Sequence, residues 1–248
     1  DCPCLRTLII YEICNKSCLR RHALPRLADA EERYLRAERF RGRGVCRLRQ
    51  KSKYNRQRPH RQRRARGGAG LNFRLPPDIC VLKSAAAPDE FDSNRSARKK
   101  TYCYRMYVAR REHPLKSRYA VAVHPRPGLK LMEEGARLFC GEHDFAAYCA
   151  SGSSAKTTVR NVYSVDVKSG LTRGSEDIEI EVCGGGFLYN MVRTMAGTLL
   201  FLGQGRLTLD DVKASLDTGK RSLVGKTMPA KGLTLESVDY GFDLFGAE

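Results

Sequence analysis

The sequence lacks tryptophan altogether. It also has no apolar run approaching the roughly 18 residues that a membrane-spanning helix needs, so no such helix is expected. The opening residues, Asp1-Cys2-Pro3-Cys4, do not show the basic-then-apolar order of a secretory leader, and no methionine precedes them, as in a reading that begins inside a gene. Histidine is scarce, with five in the chain, and none stands at a finger-like distance from the clustered Cys2, Cys4, Cys14 and Cys18. A metal site is therefore not expected. The most local absence is of acid: between Arg41 and Arg66 there are twelve basic residues and no aspartate or glutamate.

That block dominates the charge balance. The net charge of +18 suggests a polyanionic partner, most simply nucleic acid. Residues 1–69 carry +14 of it and residues 70–248 only +4. A stretch as basic as 41–66 has too little apolar surface to fold alone and reads as a disordered basic arm, or as a segment that is not natural protein sequence. Upstream of it there are only an apolar patch, Leu8-Ile9-Ile10-Tyr11, and a possible short helix at residues 28–35. Of the ten cysteines, Cys80, Cys103, Cys140, Cys149 and Cys183 are scattered in apolar settings, as free buried thiols of a reducing cytosol would be.

The character of the chain changes near Gly67. Cys80-Val81-Leu82 reads as a strand after a proline turn, and residues 101–108 alternate with an aromatic bias, which puts Tyr102, Tyr104 and Met106 on one face. An amphipathic helix is expected over residues 129–140, followed by a small-residue loop at 150–156 suited to lie over a substrate. Strands are expected at 159–167 and 178–182, a short helix near Asp210-Asp211, and a closing strand at 233–240. Mixed strands and helices at hairpin-like spacing make this α+β rather than a doubly wound sheet.

Between the second of those strands and the Asp-Asp helix stands the most distinctive stretch. Gly184-Gly185-Gly186 precedes Leu188, Met191, Val192, Met195 and Leu199 at steps of three and four. This is a glycine turn opening a largely apolar helix, the kind of element another backbone or a ligand approaches closely. Arg193 is the one strong charge inside it. On chemistry alone two readings stay open: a guanidinium snorkelling at a helix edge, slightly favoured, or a paired charge held in a cleft, since an unpaired buried one is too costly.

Taken in order, several stretches resemble the C-terminal two-thirds of the tRNA pseudouridine synthase A family. They are Leu71-Asn72 through Leu75-Pro76-Pro77-Asp78-Ile79, Pro88-Asp89-Glu90-Phe91, and Ser96-Ala97-Arg98-Lys99-Lys100-Thr101-Tyr102-Cys103-Tyr104. Leu138-Phe139-Cys140-Gly141-Glu142-His143-Asp144-Phe145 and Arg160-Asn161-Val162-Tyr163 follow, then Gly186-Phe187-Leu188-Tyr189-Asn190-Met191-Val192-Arg193 and Pro229-Ala230-Lys231-Gly232-Leu233. The resemblance runs from about residue 70 to 240. It implies a mixed, mainly antiparallel sheet with flanking helices, built in the family as two similar halves around a basic cleft and usually dimeric. It also implies a cytoplasmic, cofactor-free and metal-free enzyme that isomerises uridine in the anticodon stem-loop of tRNA. The target nucleotide is flipped out of its stack, an aspartate attacks, the glycosidic bond breaks, and the uracil rejoins through carbon.

By motif position Tyr102 corresponds to the family's active-site tyrosine, which packs on the base and assists proton removal, a phenol having both a π-face and an OH. Arg193 corresponds to the arginine that pairs with the catalytic aspartate and keeps it ionised. Phe187 and Leu188 would line the pocket, although core packing explains them almost as well. Lys156, Arg160 and Lys231 are candidate phosphate contacts, each explicable also as solvated surface.

The family's nucleophile lies in its N-terminal half, in Gly-Arg-Thr-Asp-(Ala or Ser)-Gly-Val, and nothing in residues 1–69 matches. Asp29 comes nearest but lacks the arginine spacing and both glycines. Asn94 stands where the family usually has an arginine. The genetic code offers a reason. Read one base later, synonymous codons for Arg36 through Gly42 admit Gly-Arg-Ser-Asp-Ser-Gly-Val, the aspartate arising as GAT across Arg39 and Phe40. The usual histidine after Gly-Val does not emerge. Roughly residues 34–69 are therefore expected to be an out-of-frame remnant of the N-terminal half, with the frame restored near Gly67–Gly70. Sequencing the encoding DNA tests this: the shifted frame should contain Gly-Arg-x-Asp, and its absence there defeats the idea.

Overall fold

The computed structural model describes residues 6–12, 36–38, 47–49, 72, 80–87, 90–172 and 174–243. The chain divides into two compact units, residues 1–96 with 242–248, and residues 97–241. In the first, β1 (Arg6–Glu12) and β4 (Cys80–Ala87) form an antiparallel pair, and β2 (Arg36–Glu38) pairs with β3 (Arg47–Arg49). Asn72 extends this pairing by side chain. Its Nδ2 donates to the Val81 carbonyl at 2.9 Å and its Oδ1 accepts from the Val81 N–H at 2.7 Å, so one amide stands in for a strand neighbour. The anticipated helix at 28–35, the compositional step near Gly67 and the basic block 41–66, β3 excepted, lie outside the described residues.

The second unit is one sheet with helices against one face. β5 (Lys99–Val108) is its axis, and it pairs antiparallel with β9 (Ser175–Gly184) on one side. On the other side β10 (Leu233–Asp239) covers its first half, and β6 (Val121–Val123) runs parallel to its last three residues. β8 (Val159–Thr172) and β7 (Gly141–Asp144) complete the order β10-β5-β9-β8-β7. The sheet is thus mixed and mainly antiparallel, within an α+β unit, as the residue pattern anticipates.

Alternation along β5 sorts its side chains between two environments. Tyr102, Tyr104 and Met106 enter the main apolar core with Ile178, Ile180 and Val182 of β9. On the opposite face Arg105 bonds to Glu179 at 2.9 Å and to Glu236 at 3.0 Å, and its Nη1 donates to Thr234. Cys103 is buried beside them in the strand, and burial pushes that thiol up to about 12 against the pull of Arg105. Cys183 is also buried, but Cys140 is exposed, so the expectation of five buried thiols holds only in part.

Three helices close the core: α1 (Leu129–Arg137), α2 (Met191–Gly203) and α3 (Leu209–Thr218). Thr208 caps α3 in a full capping box with Asp211, so the acidic pair serves both cap and dipole. α2 is buried almost all round, the exceptions being Arg193 and Phe201 with the terminal Gly203. Its start differs from the spacing-based expectation. Leu188 belongs to the lead-in, and the helix begins only after Asn190, which adopts the left-handed conformation at φ 61°.

Residues 224–228 lie flat on α2, which two glycines permit. A Cβ on Gly197 would sit 1.9 Å from the Lys226 carbonyl oxygen, and one on Gly225 would meet the Gly197 carbonyl oxygen at 2.3 Å. At that separation the Gly225 N–H donates to Thr198 Oγ1 at 2.9 Å, and Thr194 and Thr227 hydroxyls meet at 3.0 Å. Gly197→Ala is expected to cost ~1–3 kcal/mol through forced separation of the two backbones, read as a lowered midpoint in calorimetry. Gly170→Ala, where a Cβ meets nothing within 4 Å, should leave the midpoint unchanged.

Candidate active site

The left-handed Asn190 is the hinge of the site. A non-glycine residue pays for positive φ with local strain, which asparagine tolerates better than most. Its side chain does not cap the helix. Instead Oδ1 accepts from Arg193 Nη1 at 2.7 Å. The second anchor of Arg193 is the segment on α2: Nε donates to the Met228 carbonyl at 2.6 Å, while the Met228 N–H donates back to the Arg193 carbonyl at 3.2 Å. One backbone carbonyl and one side-chain amide therefore hold a half-buried guanidinium, a backbone bond ties its helix to the same segment, and Nη2 makes no hydrogen bond among the described residues. No carboxylate of the described residues lies within ion-pair distance of it.

Burial pulls the Arg193 guanidinium below its ordinary value, opposed by the phenols of Tyr104 and Tyr189. A guanidinium remains protonated under such pressure. Tyr104 is fully buried one residue beyond the anchor, its OH donating to the Pro229 carbonyl at 2.7 Å. Burial raises that phenol and Arg193 lowers it. Met228 and Pro229 thus present consecutive carbonyls, one to Arg193 and one to Tyr104.

Tyr102 lies two residues earlier on β5, with 6% of its surface exposed. Phe187 stands edge-on to it, ring centroids 5.3 Å apart and planes at 88°, a favourable quadrupole arrangement. Gly184 makes room for Phe187, since a Cβ there would meet its ring at 3.1 Å. Leu188 is buried in the same core cluster. The structure therefore groups Tyr102, Phe187 and Leu188 at the glycine turn and sets Arg193 in the first turn of α2.

The three cations anticipated as phosphate contacts are dispersed. Lys156 is exposed on its loop. Arg160 folds back on its own neighbourhood, Nη1 donating to the carbonyls of Val159 and Thr157 at 2.5 and 3.0 Å. Lys231 is engaged by Glu112 in an ion pair. None of the three makes a hydrogen bond to Arg193 among the described residues.

Sequence reasoning missed Asn190 and the Met228–Pro229 carbonyls. An asparagine immediately before an apolar helical run is a cap-type signal that could have drawn attention to Asn190. A backbone carbonyl has no residue-type signature at all. Tyr163 is the extra residue of a bulge in β8, between Val162 and Ser164, and its OH lies against Gly185.

The arrangement holds an edge-to-face aromatic pair, Tyr102 with Phe187, and a guanidinium held by neutral acceptors without a carboxylate among the described residues. The profile of the tRNA pseudouridine synthase family matches residues 136–241. The tRNA pseudouridine synthase A of Syntrophotalea carbinolica is 43% identical over 171 residues, covering 69% of this chain and 66% of that protein. That of Geotalea daltonii is 40% identical over the same length, with 69% and 68% covered, and that of Bacillus subtilis is 38% identical over 170 residues, with 68% and 67% covered. The chain thus matches about two thirds of the length of these relatives. With that identity and coverage, the chain belongs to the tRNA pseudouridine synthase A family.

Proposed function

We propose that the site is the C-terminal half of a tRNA uridine isomerase, converting uridine to pseudouridine in the anticodon stem-loop. The observation that carries this reading is Arg193, held by Met228 and Asn190 with one terminal nitrogen left over for a carboxylate. An aspartate there would be kept ionised by the guanidinium, which favours the charged form of a neighbouring carboxyl by about 1–3 pKa units. The ionised carboxylate would attack the flipped nucleotide. Tyr102 would pack on the detached uracil and assist removal of the proton from carbon as the ring reattaches, while Phe187 and Leu188 hold the apolar side of the pocket. We assign the working enzyme to the cytoplasm as a homodimer. Among the described residues no helix is long and apolar enough to cross a membrane.

Because residues 1–69 hold no Gly-Arg-Thr-Asp motif, a second reading has a specific basis: a non-catalytic RNA-binding protein that keeps the half-cleft. Tritium release from tRNA labelled at uridine carbon-5 separates the two. This chain is expected to release none. A version with residues 34–69 translated in the shifted frame is expected to release it, and continued inactivity of a folded, RNA-binding version would favour the second reading.

In that restored version, Tyr102→Phe should lower the rate by roughly 10²–10⁴-fold, the usual range for a lost acid–base group, with little change in tRNA affinity. Arg193→Met should move the acid limb of the pH–rate profile upward by about 1–3 units. The sign follows from the pairing: without the guanidinium the carboxyl pKa rises, so the ionised form is lost at a higher pH.

A further inference from the structure

The strand axis β5 ends in a loop, residues 109–120, that the catalytic reading leaves unused. Its cations are Arg110, Arg111, Lys116 and Arg118, and its one acid is Glu112. Glu112 is taken by Lys231. Lys116 is taken as well: Nζ donates to Asp177 at 2.6 Å, to Ser175 Oγ at 2.8 Å and to the Thr172 carbonyl at 2.6 Å, with the Tyr107 ring 5.9 Å away. Arg110, Arg111 and Arg118 remain exposed, and none bonds to an acidic group among the described residues. Residues 70–248 carry a net charge of only +4, so three uncompensated guanidinium groups on one loop are a local concentration.

The loop is held in shape. The Tyr107 OH accepts from the His113 N–H at 2.8 Å, the His113 carbonyl accepts from the N–H groups of Lys116 and Ser117, and the Lys116 carbonyl accepts from those of Tyr119 and Ala120. The Ala109 N–H donates to the Val123 carbonyl. On this anchored turn Tyr119 is 38% and Leu115 68% exposed. Through Glu112 and Lys231 the loop is tied to the turn at Ala230–Gly232, next to the Pro229 carbonyl that holds Tyr104.

We infer that Arg110, Arg111 and Arg118 form a preorganised surface for the phosphate backbone of a structured RNA, with Tyr119 offering a face to a ribose or an unstacked base. This inference rests on the proposed reading of the site, and names where the RNA runs once a nucleotide is in the pocket. Guanidinium groups suit phosphate because their planar forks donate in pairs. Ordering the backbone that carries them beforehand removes part of the entropic cost of binding. The loop also explains why Lys231 need not touch phosphate itself: by neutralising Glu112 it keeps a repulsive carboxylate away from the RNA path.

The test is salt-dependent binding of tRNA to the full chain and to two triple variants of equal charge loss. Arg110→Gln/Arg111→Gln/Arg118→Gln should weaken binding roughly tenfold or more at moderate salt and flatten the plot of log affinity against log salt by about 2, as loss of two or three phosphate contacts requires. Lys130→Gln/Arg137→Gln/Lys213→Gln, on helices α1 and α3, should change neither by comparable amounts. Equal weakening by the two variants, or no weakening by the first, overturns the inference while leaving the proposed site intact. Failure of the unmodified chain to bind tRNA at any salt overturns both. A second measurement needs no variant: phenylglyoxal modification mapped by mass spectrometry should show Arg110, Arg111 and Arg118 protected by tRNA relative to Arg137. Unchanged modification of all four in an RNA-bound sample also overturns the inference.

Discussion

The close approach of residues 224–228 to helix α2 is the constraint on which the site depends. Two glycines, Gly197 and Gly225, let the backbones meet at distances where any Cβ would collide. That contact brings the Met228 carbonyl to Arg193 and the Pro229 carbonyl to Tyr104. One segment therefore orients a cation and a phenol that come from different elements, α2 and β5. The threonines along the contact, Thr194, Thr198 and Thr227, satisfy polar groups that would otherwise be buried without partners.

The electrostatic consequence falls on Arg193. It loses solvation on burial and, among the described residues, receives only neutral acceptors, an amide and a carbonyl, in return. Neutral acceptors hold a guanidinium in place without neutralising it, so it keeps most of its attraction for an anion. By contrast Arg105, on the opposite face of the same sheet, is satisfied by Glu179 and Glu236 and belongs to the scaffold.

The strongly patterned elements were legible before the coordinates. The alternation in β5 and β9, the amphipathic period of α1 and the acidic start of α3 are local signals whose physical cause is the same in isolation as in the fold. The start of α2 was read three residues early because apolar spacing continues through Leu188, while the left-handed backbone of Asn190 interrupts the helix without altering that spacing. The strand β7, over Gly141–Asp144, carries no apolar alternation and is made by pairing with β8. The ion pair of Lys231 with Glu112 joins residues 119 apart in sequence, beyond the reach of any local pattern.

The sequence by itself determined the family, the α+β character and the identity of Tyr102 and Arg193 as the residues to examine. It also determined that the nucleophile motif is missing from residues 1–69, because motifs and composition are properties of the linear order. Tertiary structure alone decided what holds Arg193. Its spacing on an apolar helix does not announce the Met228 carbonyl, 35 residues downstream. Backbone acceptors look alike at every position in a sequence, so only folding can say which of them a side chain meets.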